Sequence, residues 1–193
     1  LKETLAAALI QLSYWNDRRL LVDPFCGSGT IPIEAAMIAR NIAPGLSRDF
    51  AFRHWHWIDE AIWKEETKKA YQAMKPDLPL RIHASDNDPL AILAAKANAE
   101  AAGVDDAIAI SEVAFEDLRF AEDYGVLITN PPYGERLSEQ DLLKPLYQTL
   151  SERIAALETW SAYVITSWPA FASMGKRKAD RERKLYNGNI ETH

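Results

Sequence analysis

The chain has 193 residues with a hydrophobic share of 48%, which suits one globular domain with its own core. Its 22 Lys and Arg against 28 Asp and Glu give a net charge of −6, which excludes a uniformly basic nucleic-acid binder. A single cysteine excludes an intrachain disulfide and fits a reducing, cytoplasmic setting. We expect neither a leader peptide nor a membrane span, because no cationic-then-apolar start and no apolar run of about 18 residues is present.

The first forty residues predict a helix, a strand and a second helix. Residues 3–15 have the spacing of an amphipathic helix, and residues 19–23 that of a short buried strand. A glycine-rich turn over 27–30 follows. The second helix is expected to begin near Pro32, because proline is tolerated in a first helical turn.

Residues 41–80 interrupt this pattern and predict an insertion. A helix is expected there from Asp59 to about Lys75. The segment also holds an aromatic cluster of Phe50, Phe52, Trp55, Trp57 and Trp63. We expect the tryptophans to pack the insertion onto the domain, and binding of a base is the alternative.

The rest of the chain alternates strands with helices. Strands are expected at 80–86, 107–115, 124–129 and 160–167. One helix should run from an N-cap at Asp88 to a stop at Gly103, and another over about 139–158. This order predicts an α/β fold, an open and mostly parallel sheet with helices on both faces. The polar residues that follow the strands, at the edge where such sheets bind ligands, are Asp23, Asp86, Asp117 and Asn130.

A basic run stands near the end of the chain. Its members are Lys176, Arg177, Lys178, Arg181, Arg183 and Lys184. A solvated loop and a contact with phosphates are equally open interpretations of such a run. Leu1 falls inside an expected helix and His193 inside an expected strand, so we expect a fragment of a longer chain.

The turn after the first strand favours a cofactor that has no pyrophosphate. It reads Asp23-Pro24-Phe25-Cys26-Gly27-Ser28-Gly29-Thr30, and its glycines let a ligand approach the backbone. The dinucleotide fingerprint needs a third glycine where Pro32 stands, and a phosphate-binding loop needs a lysine that this turn lacks. S-adenosylmethionine, with a carboxylate and an ammonium at one end and adenosine at the other, suits the turn.

Two further carboxylates are candidates for this cofactor. Asp86 can accept hydrogen bonds from both ribose hydroxyls. Asp117 would accept from the adenine amino group, or serve as a plain turn residue. Phe25 and Phe115 are placed to sandwich the adenine, although both also suit the core. Cys26 lacks an evident base partner, so we do not expect a nucleophile there, and no residue set has the spacing of a metal site.

The segment Asn130-Pro131-Pro132-Tyr133 predicts methylation of an exocyclic amino group. The lone pair of such an amino group is delocalised into the ring of the base. Two acceptors, the Asn130 side chain and the Pro131 main-chain carbonyl, would localise that lone pair on the nitrogen. The prolines stiffen the segment, and Tyr133 can stack on a base that has left its helix.

Several of these stretches together resemble the THUMP-domain-associated class I methyltransferases. That family includes the bacterial enzymes that make 2-methylguanosine in large-subunit ribosomal RNA. The similar stretches lie at residues 23–36, 41–46, 85–89, 129–136 and 183–188.

The resemblance implies S-adenosylmethionine as the cofactor and a guanine of RNA, in 23S ribosomal RNA, as the substrate. The turn from Asp23 to Thr30, together with Asp86, Asn87 and Asp117, would bind the cofactor, and residues 130–133 would hold the base. It further implies a Rossmann-like sheet of seven strands, whose last two form a hairpin that starts near Lys184 and is truncated at His193. The family's THUMP or ferredoxin-like RNA-binding region has no counterpart here, so we expect RNA to be bound mainly through domains outside this chain.

Two alternatives remain open from the motif chemistry. An adenine-N6 DNA methyltransferase would use the same Asn-Pro-Pro-Tyr segment. A non-catalytic module that binds S-adenosylmethionine would keep the fold without the reaction.

Overall fold

A computed structural model of the chain describes residues 1–120, 122–133, 137–168, 171–174 and 178–193, with only the backbone described over 137–142. Residues 134–136 of the stretch 129–136 that resembles the family, and Lys176 and Arg177 of the basic run, lie outside the described residues. No helix within the described ranges combines the length and the apolar character that a membrane span requires.

Five strands form one parallel sheet in the order β3-β2-β1-β4-β5, which confirms the predicted α/β fold with an open parallel sheet. The strands are β1 (Leu21–Asp23), β2 (Ile82–Asp86), β3 (Ile108–Glu112), β4 (Val126–Thr129) and β5 (Ser161–Val164). β1 and β4 are buried along their whole lengths, as expected for central strands that are covered on both faces.

Six helices accompany the sheet within the described residues. They are α1 (Glu3–Leu12), α2 (Thr30–Ala39), α3 (Glu60–Ala73), α4 (Pro89–Ala101), α5 (Leu137–Ala156) and α6 (Phe171–Met174). The carboxylate of Asp88 accepts a hydrogen bond from the Leu90 N–H over 2.9 Å, which confirms the predicted cap of α4. Buried alanines on α2 and α4, such as Ala35 and Ala95, let these helices pack closely on one face of the sheet.

Side chains alternate between the two faces of the sheet. Leu21 and Ile128 belong to the core that contains α1, α2 and α4. Val22 and Leu127 belong to a second core on the opposite face, where they pack with Trp160. The alternation follows from the two-residue period of a strand.

The last two strands do not extend the sheet, so the expectation of one seven-stranded sheet is wrong. β6 (Leu185–Asn187) and β7 (Ile190–Thr192) form a separate antiparallel hairpin. Thr166 and His193 join it to the end of β5 by two backbone hydrogen bonds of 3.0 and 2.8 Å. Both residues lie beyond the ends of their strands, and among the described residues this pair alone joins the hairpin to β5 by backbone hydrogen bonds.

The insertion at 41–80 consists of a short 3₁₀ turn, the helix α3 and loops. Phe50, Phe52 and Trp63 pack on one another with ring centroids 5.4 to 5.9 Å apart. Trp55 and Trp57 stack in parallel at 5.1 Å and remain 49% and 67% exposed. The aromatic residues therefore pack within the insertion and not onto the sheet.

Candidate cofactor and base site

A cleft of about 510 Å³ opens at the carboxyl ends of β1, β2 and β4. Among the residues predicted to bind the cofactor, those that line it are Asp23, Phe25, Cys26, Gly27, Ser28, Thr30, Asp86 and Asn87. Asn130 and Pro132 of the predicted base-binding segment line the same cleft. The four predicted residues outside its lining are Gly29, Asp117, Pro131 and Tyr133.

The turn after β1 is held against the end of β2. Gly27 and Gly29 adopt left-handed φ values of 52° and 86°, which glycine reaches without steric cost. The Cys26 N–H donates to the Ser85 carbonyl over 3.0 Å. The Gly27 N–H donates to the carboxylate of Asp86 over 2.9 Å. These bonds fix the backbone of the turn on the floor of the cleft.

Asp86 has a fixed orientation that leaves acceptor capacity free. One of its oxygens accepts from Gly27, and the other accepts from the Asp88 N–H over 3.1 Å. Each carboxylate oxygen has a second lone pair. Asp86 can therefore accept hydrogen bonds from the two ribose hydroxyls of an adenosine bound in the cleft.

Asp23 is only 1% exposed although it carries a carboxylate. Its Oδ1 accepts from the Thr129 hydroxyl over 2.7 Å and from the Phe25 N–H over 3.2 Å. Burial raises the pKa of Asp23 to about 7, while the hydrogen bonds from Thr129 and Phe25 oppose the rise and the nearby Asp86 adds to it. A cofactor ammonium would stabilise the ionised form of this carboxylate. Because Thr129 directly precedes Asn130, the same bond connects the two halves of the site.

The loop after β3 lines the cleft with other residues than predicted. The rings of Phe25 and Phe115 are 5.1 Å apart and tilted by 38°. A flat base between two rings needs about 7 Å, so adenine cannot enter between them and would pack on one side. Glu116 lines the cleft where Asp117 does not. The predicted third strand extended to residue 115, whereas β3 ends at Glu112, and the turn that follows places Glu116 at the cleft.

Arg153 of α5 supports this loop and was not expected from the sequence. Its guanidinium donates to the main-chain carbonyls of Phe115 and Leu118 and lies over the Phe115 ring at 4.7 Å. An arginine late in an amphipathic helix is ordinarily a surface residue, so no pattern in the sequence indicates this role.

The predicted base-binding segment contains an internal hydrogen bond. The Tyr133 hydroxyl donates to the Asn130 side-chain oxygen, and the Asn187 side chain of the hairpin also hydrogen-bonds this tyrosine. Burial raises the pKa of Tyr133, which keeps the phenol protonated. Cys26 is buried, and the burial raises the pKa of its thiol far above the ordinary value. A thiolate nucleophile is therefore disfavoured.

A cofactor cleft and an Asn-Pro-Pro-Tyr segment at one edge of a parallel sheet define a class I methyltransferase fold, whose cofactor is S-adenosylmethionine. The acidic residues in the cleft fit that cofactor, because a buried carboxylate such as Asp23 suits an ammonium and the free acceptors of Asp86 suit a ribose. The whole chain, residues 1–193, matches the RMKL-like methyltransferase domain family, and the chain belongs to that family.

Proteins of similar sequence and structure agree with this assignment. YpsC of Bacillus subtilis (strain 168), whose name gives it a candidate RNA methyltransferase activity, is 45% identical over all of this chain and half of its own length. Ribosomal RNA large subunit methyltransferase K/L of Shewanella amazonensis is 41% identical over 99% of this chain and 28% of its own length.

The crystal structure of SMU.472, a candidate methyltransferase in complex with SAH, superposes with a TM-score of 0.94 at 43% identity. The superposition covers 99% of this chain and 51% of the chain of SMU.472. The chain thus spans between 28% and 51% of the length of these relatives.

Proposed function

We propose that this domain transfers a methyl group from S-adenosylmethionine to the exocyclic amino group of a guanine in RNA, and that the RNA is large-subunit ribosomal RNA. The carrying observation is that Asn130 lines the same cleft as Asp23 and Asp86. An amide acceptor thus stands beside the residues suited to the cofactor. The name of the K/L relatives supports ribosomal RNA as the substrate.

The protein's part in the reaction is to orient two partners and to activate the nitrogen. S-adenosylmethionine supplies an electrophilic methyl group on its sulfonium. Asp23 would hold the ammonium and Asp86 the ribose of the bound cofactor, in the cleft that Asn130 also lines. The methyl bond to sulfur breaks as the bond to nitrogen forms, and the nitrogen then loses one proton to water.

Asn130 and Pro131 prepare the nitrogen for this attack. The Asn130 side-chain oxygen and the Pro131 main-chain carbonyl accept the two N–H bonds of the amino group, which localises its lone pair. Fixed acceptors need no reorganisation during the reaction. In the present structure the Tyr133 hydroxyl occupies the Asn130 oxygen, so an entering base exchanges one neutral hydrogen bond for another.

We further propose that most of the binding affinity for RNA comes from the regions of the longer relatives that this chain does not match. The net charge of −6 supports a domain that performs the chemistry but does not itself attract a polyanion strongly. The described part of the basic run, Lys178 to Lys184, is exposed and would make a supporting contact only.

The test uses the full-length protein with labelled S-adenosylmethionine and two acceptors, ribosomal RNA from a strain that lacks the enzyme and duplex DNA. Nucleoside analysis should find label in RNA as 2-methylguanosine. Asn130→Ala should abolish transfer but keep cofactor binding, while Asn189→Ala, an exposed asparagine of the hairpin turn, should leave transfer unchanged. Label in DNA as methyladenine would replace the RNA proposal with its rival. Cofactor binding without transfer to either acceptor would indicate the non-catalytic module.

A further inference from the structure

Tyr147 is a wholly buried residue of α5 that lies outside the cleft yet contacts the base-binding segment. Its hydroxyl donates to the main-chain carbonyl of Pro132 over 3.0 Å. The same hydroxyl lies 2.8 Å from the hydroxyl oxygen of Thr166. The tyrosine ring packs edge-on against Trp168 and Phe171, at centroid distances of 4.7 and 5.3 Å. The aromatic contacts fix the ring and thereby aim the hydroxyl at the segment.

The directions of these hydrogen bonds follow from what each group can donate. Thr166 Oγ1 accepts the Trp168 N–H over 3.1 Å, which leaves its own proton to donate. The Pro132 carbonyl can only accept, so Tyr147 donates to it and receives from Thr166. The result is a one-way chain from Thr166 through Tyr147 to Pro132, in which each bond polarises the next.

The hydrogen-bond chain from Thr166 to Pro132 begins outside the loops that line the cleft. Thr166 is 4% exposed, and its backbone exchanges two hydrogen bonds with His193 at the end of the hairpin. From that hairpin Asn187 reaches the Tyr133 side chain. The segment is therefore supported from α5 at Pro132 and from the hairpin at Tyr133.

The Pro132 carbonyl is a sensitive point at which to hold this segment. Pro131 and Pro132 have no N–H groups, so neither can be fixed by a backbone donor of its own. The Pro131 carbonyl, an expected acceptor for the amino group, is one peptide unit away. Displacement of a reacting group by about 1 Å can cost about 100-fold in rate. A bond that sets the Pro132 peptide also sets where the Pro131 carbonyl lies.

We propose that Tyr147 is a positioning residue for methyl transfer, which holds the Pro132 carbonyl so that the Asn130 side chain and the Pro131 carbonyl stay aligned with the amino group of the base. This inference rests on the proposed amino-group methylation. A purely structural role for the same hydroxyl would stabilise the fold without a specific effect on the transfer step.

The test is Tyr147→Phe in the full-length protein, because phenylalanine keeps the ring packing and removes only the hydroxyl. We expect kcat for the RNA to fall about 10- to 100-fold, with the KM for RNA and the Kd for S-adenosylmethionine changed less than about 2-fold. Amide exchange at Asn130 and Tyr133 should become faster, since the segment loses its fixed carbonyl. Thr166→Val should act in the same direction, and the double variant should be no slower than Tyr147→Phe alone.

Thr192→Val provides the matched control. Thr192 is a fully buried hairpin residue whose hydroxyl finds no hydrogen-bond partner among the described residues. Loss of this hydroxyl should leave kcat and the amide exchange at Asn130 and Tyr133 unchanged. The inference is overturned if Tyr147→Phe retains the wild-type kcat and exchange rates, or if rate and cofactor affinity fall together in proportion to thermal stability. An inactive wild-type protein would instead reject the proposed function, whereas the exchange measurement tests the positioning independently of activity.

Discussion

The buried carboxylate of Asp23 should make the stability of the cofactor-free protein depend on pH. Its pKa is about 7 in the folded protein and about 3.9 in an unfolded chain. The folded state therefore binds the proton more tightly than the unfolded state. The bound proton contributes to the stability of the fold, and this contribution is complete below the unfolded pKa. That contribution is lost as the pH rises through the folded pKa. Each pH unit between the two pKa values is worth about 1.4 kcal/mol, so stability should fall by about 3 kcal/mol between about pH 5 and pH 8.

Asp23→Asn isolates this effect. The asparagine oxygen can still accept the hydrogen bonds from Thr129 and Phe25, but the side chain no longer ionises. Between about pH 5 and about pH 8 the variant should gain about 3 kcal/mol of stability relative to the wild type. Urea unfolding of both proteins at a series of pH values gives the difference in free energy and cancels the other titrating groups.

Asp123→Asn is the control for this measurement, because Asp123 is an exposed aspartate. The difference between this control and the wild type should remain flat across the same pH range. If the Asp23→Asn difference is also flat to within about 1 kcal/mol, the carboxylate is ionised in the folded protein throughout. The reasoning from burial would then be refuted.

Three further outcomes follow from the cleft and its support. Asp86→Asn should weaken S-adenosylmethionine binding about 10- to 100-fold, measured by calorimetry, because the side chain loses its charge and part of its acceptor capacity. The kcat at saturating cofactor should change less. Arg153→Met should weaken the same binding about 10-fold in the same assay, since the Phe115 carbonyl loses a charged donor that holds its loop. Gly125→Ala should lower the free energy of unfolding by about 1 to 3 kcal/mol in urea, because a Cβ there would overlap the buried ring of Trp160.

The sheet and the strand-end positions of the site could be predicted from the sequence because they depend on local patterns. Alternating strands and helices determine a parallel sheet, and the residues that follow its strands must share one edge. Asp23, Asp86 and Asn130 therefore reach one cleft as predicted. The ends of strands are less well marked, and an error of three residues at the end of β3 separated the predicted Asp117 from the observed Glu116.

Other features of the site depend on tertiary packing that local patterns do not encode. The contact between Phe25 and Phe115 results from the relative position of two loops, which no periodicity determines. Tyr147 lies in a helix whose pattern indicates only a buried face, and its partners Pro132 and Thr166 are 15 and 19 residues away. The separation of the hairpin from the sheet also depends on tertiary packing. It results from where β5 and β7 end, and local patterns mark the ends of strands poorly.

The Thr129–Asp23 and Tyr147–Pro132 hydrogen bonds make the position of the proposed base-binding segment independent of the charge of the cofactor site. The hydroxyl of Thr129 donates to Oδ1 of Asp23, and this oxygen can accept whether the other carboxylate oxygen is protonated or ionised. A bound ammonium that drives Asp23 to its ionised form therefore strengthens the bond without reversing it. Thr129, directly before the segment, therefore keeps its bond to Asp23, and the Tyr147 hydroxyl holds the segment at Pro132. Because Pro131 and Pro132 stiffen the backbone between these contacts, binding of the cofactor can change the charge at one end of the cleft while the acceptors for the base remain where the reaction needs them.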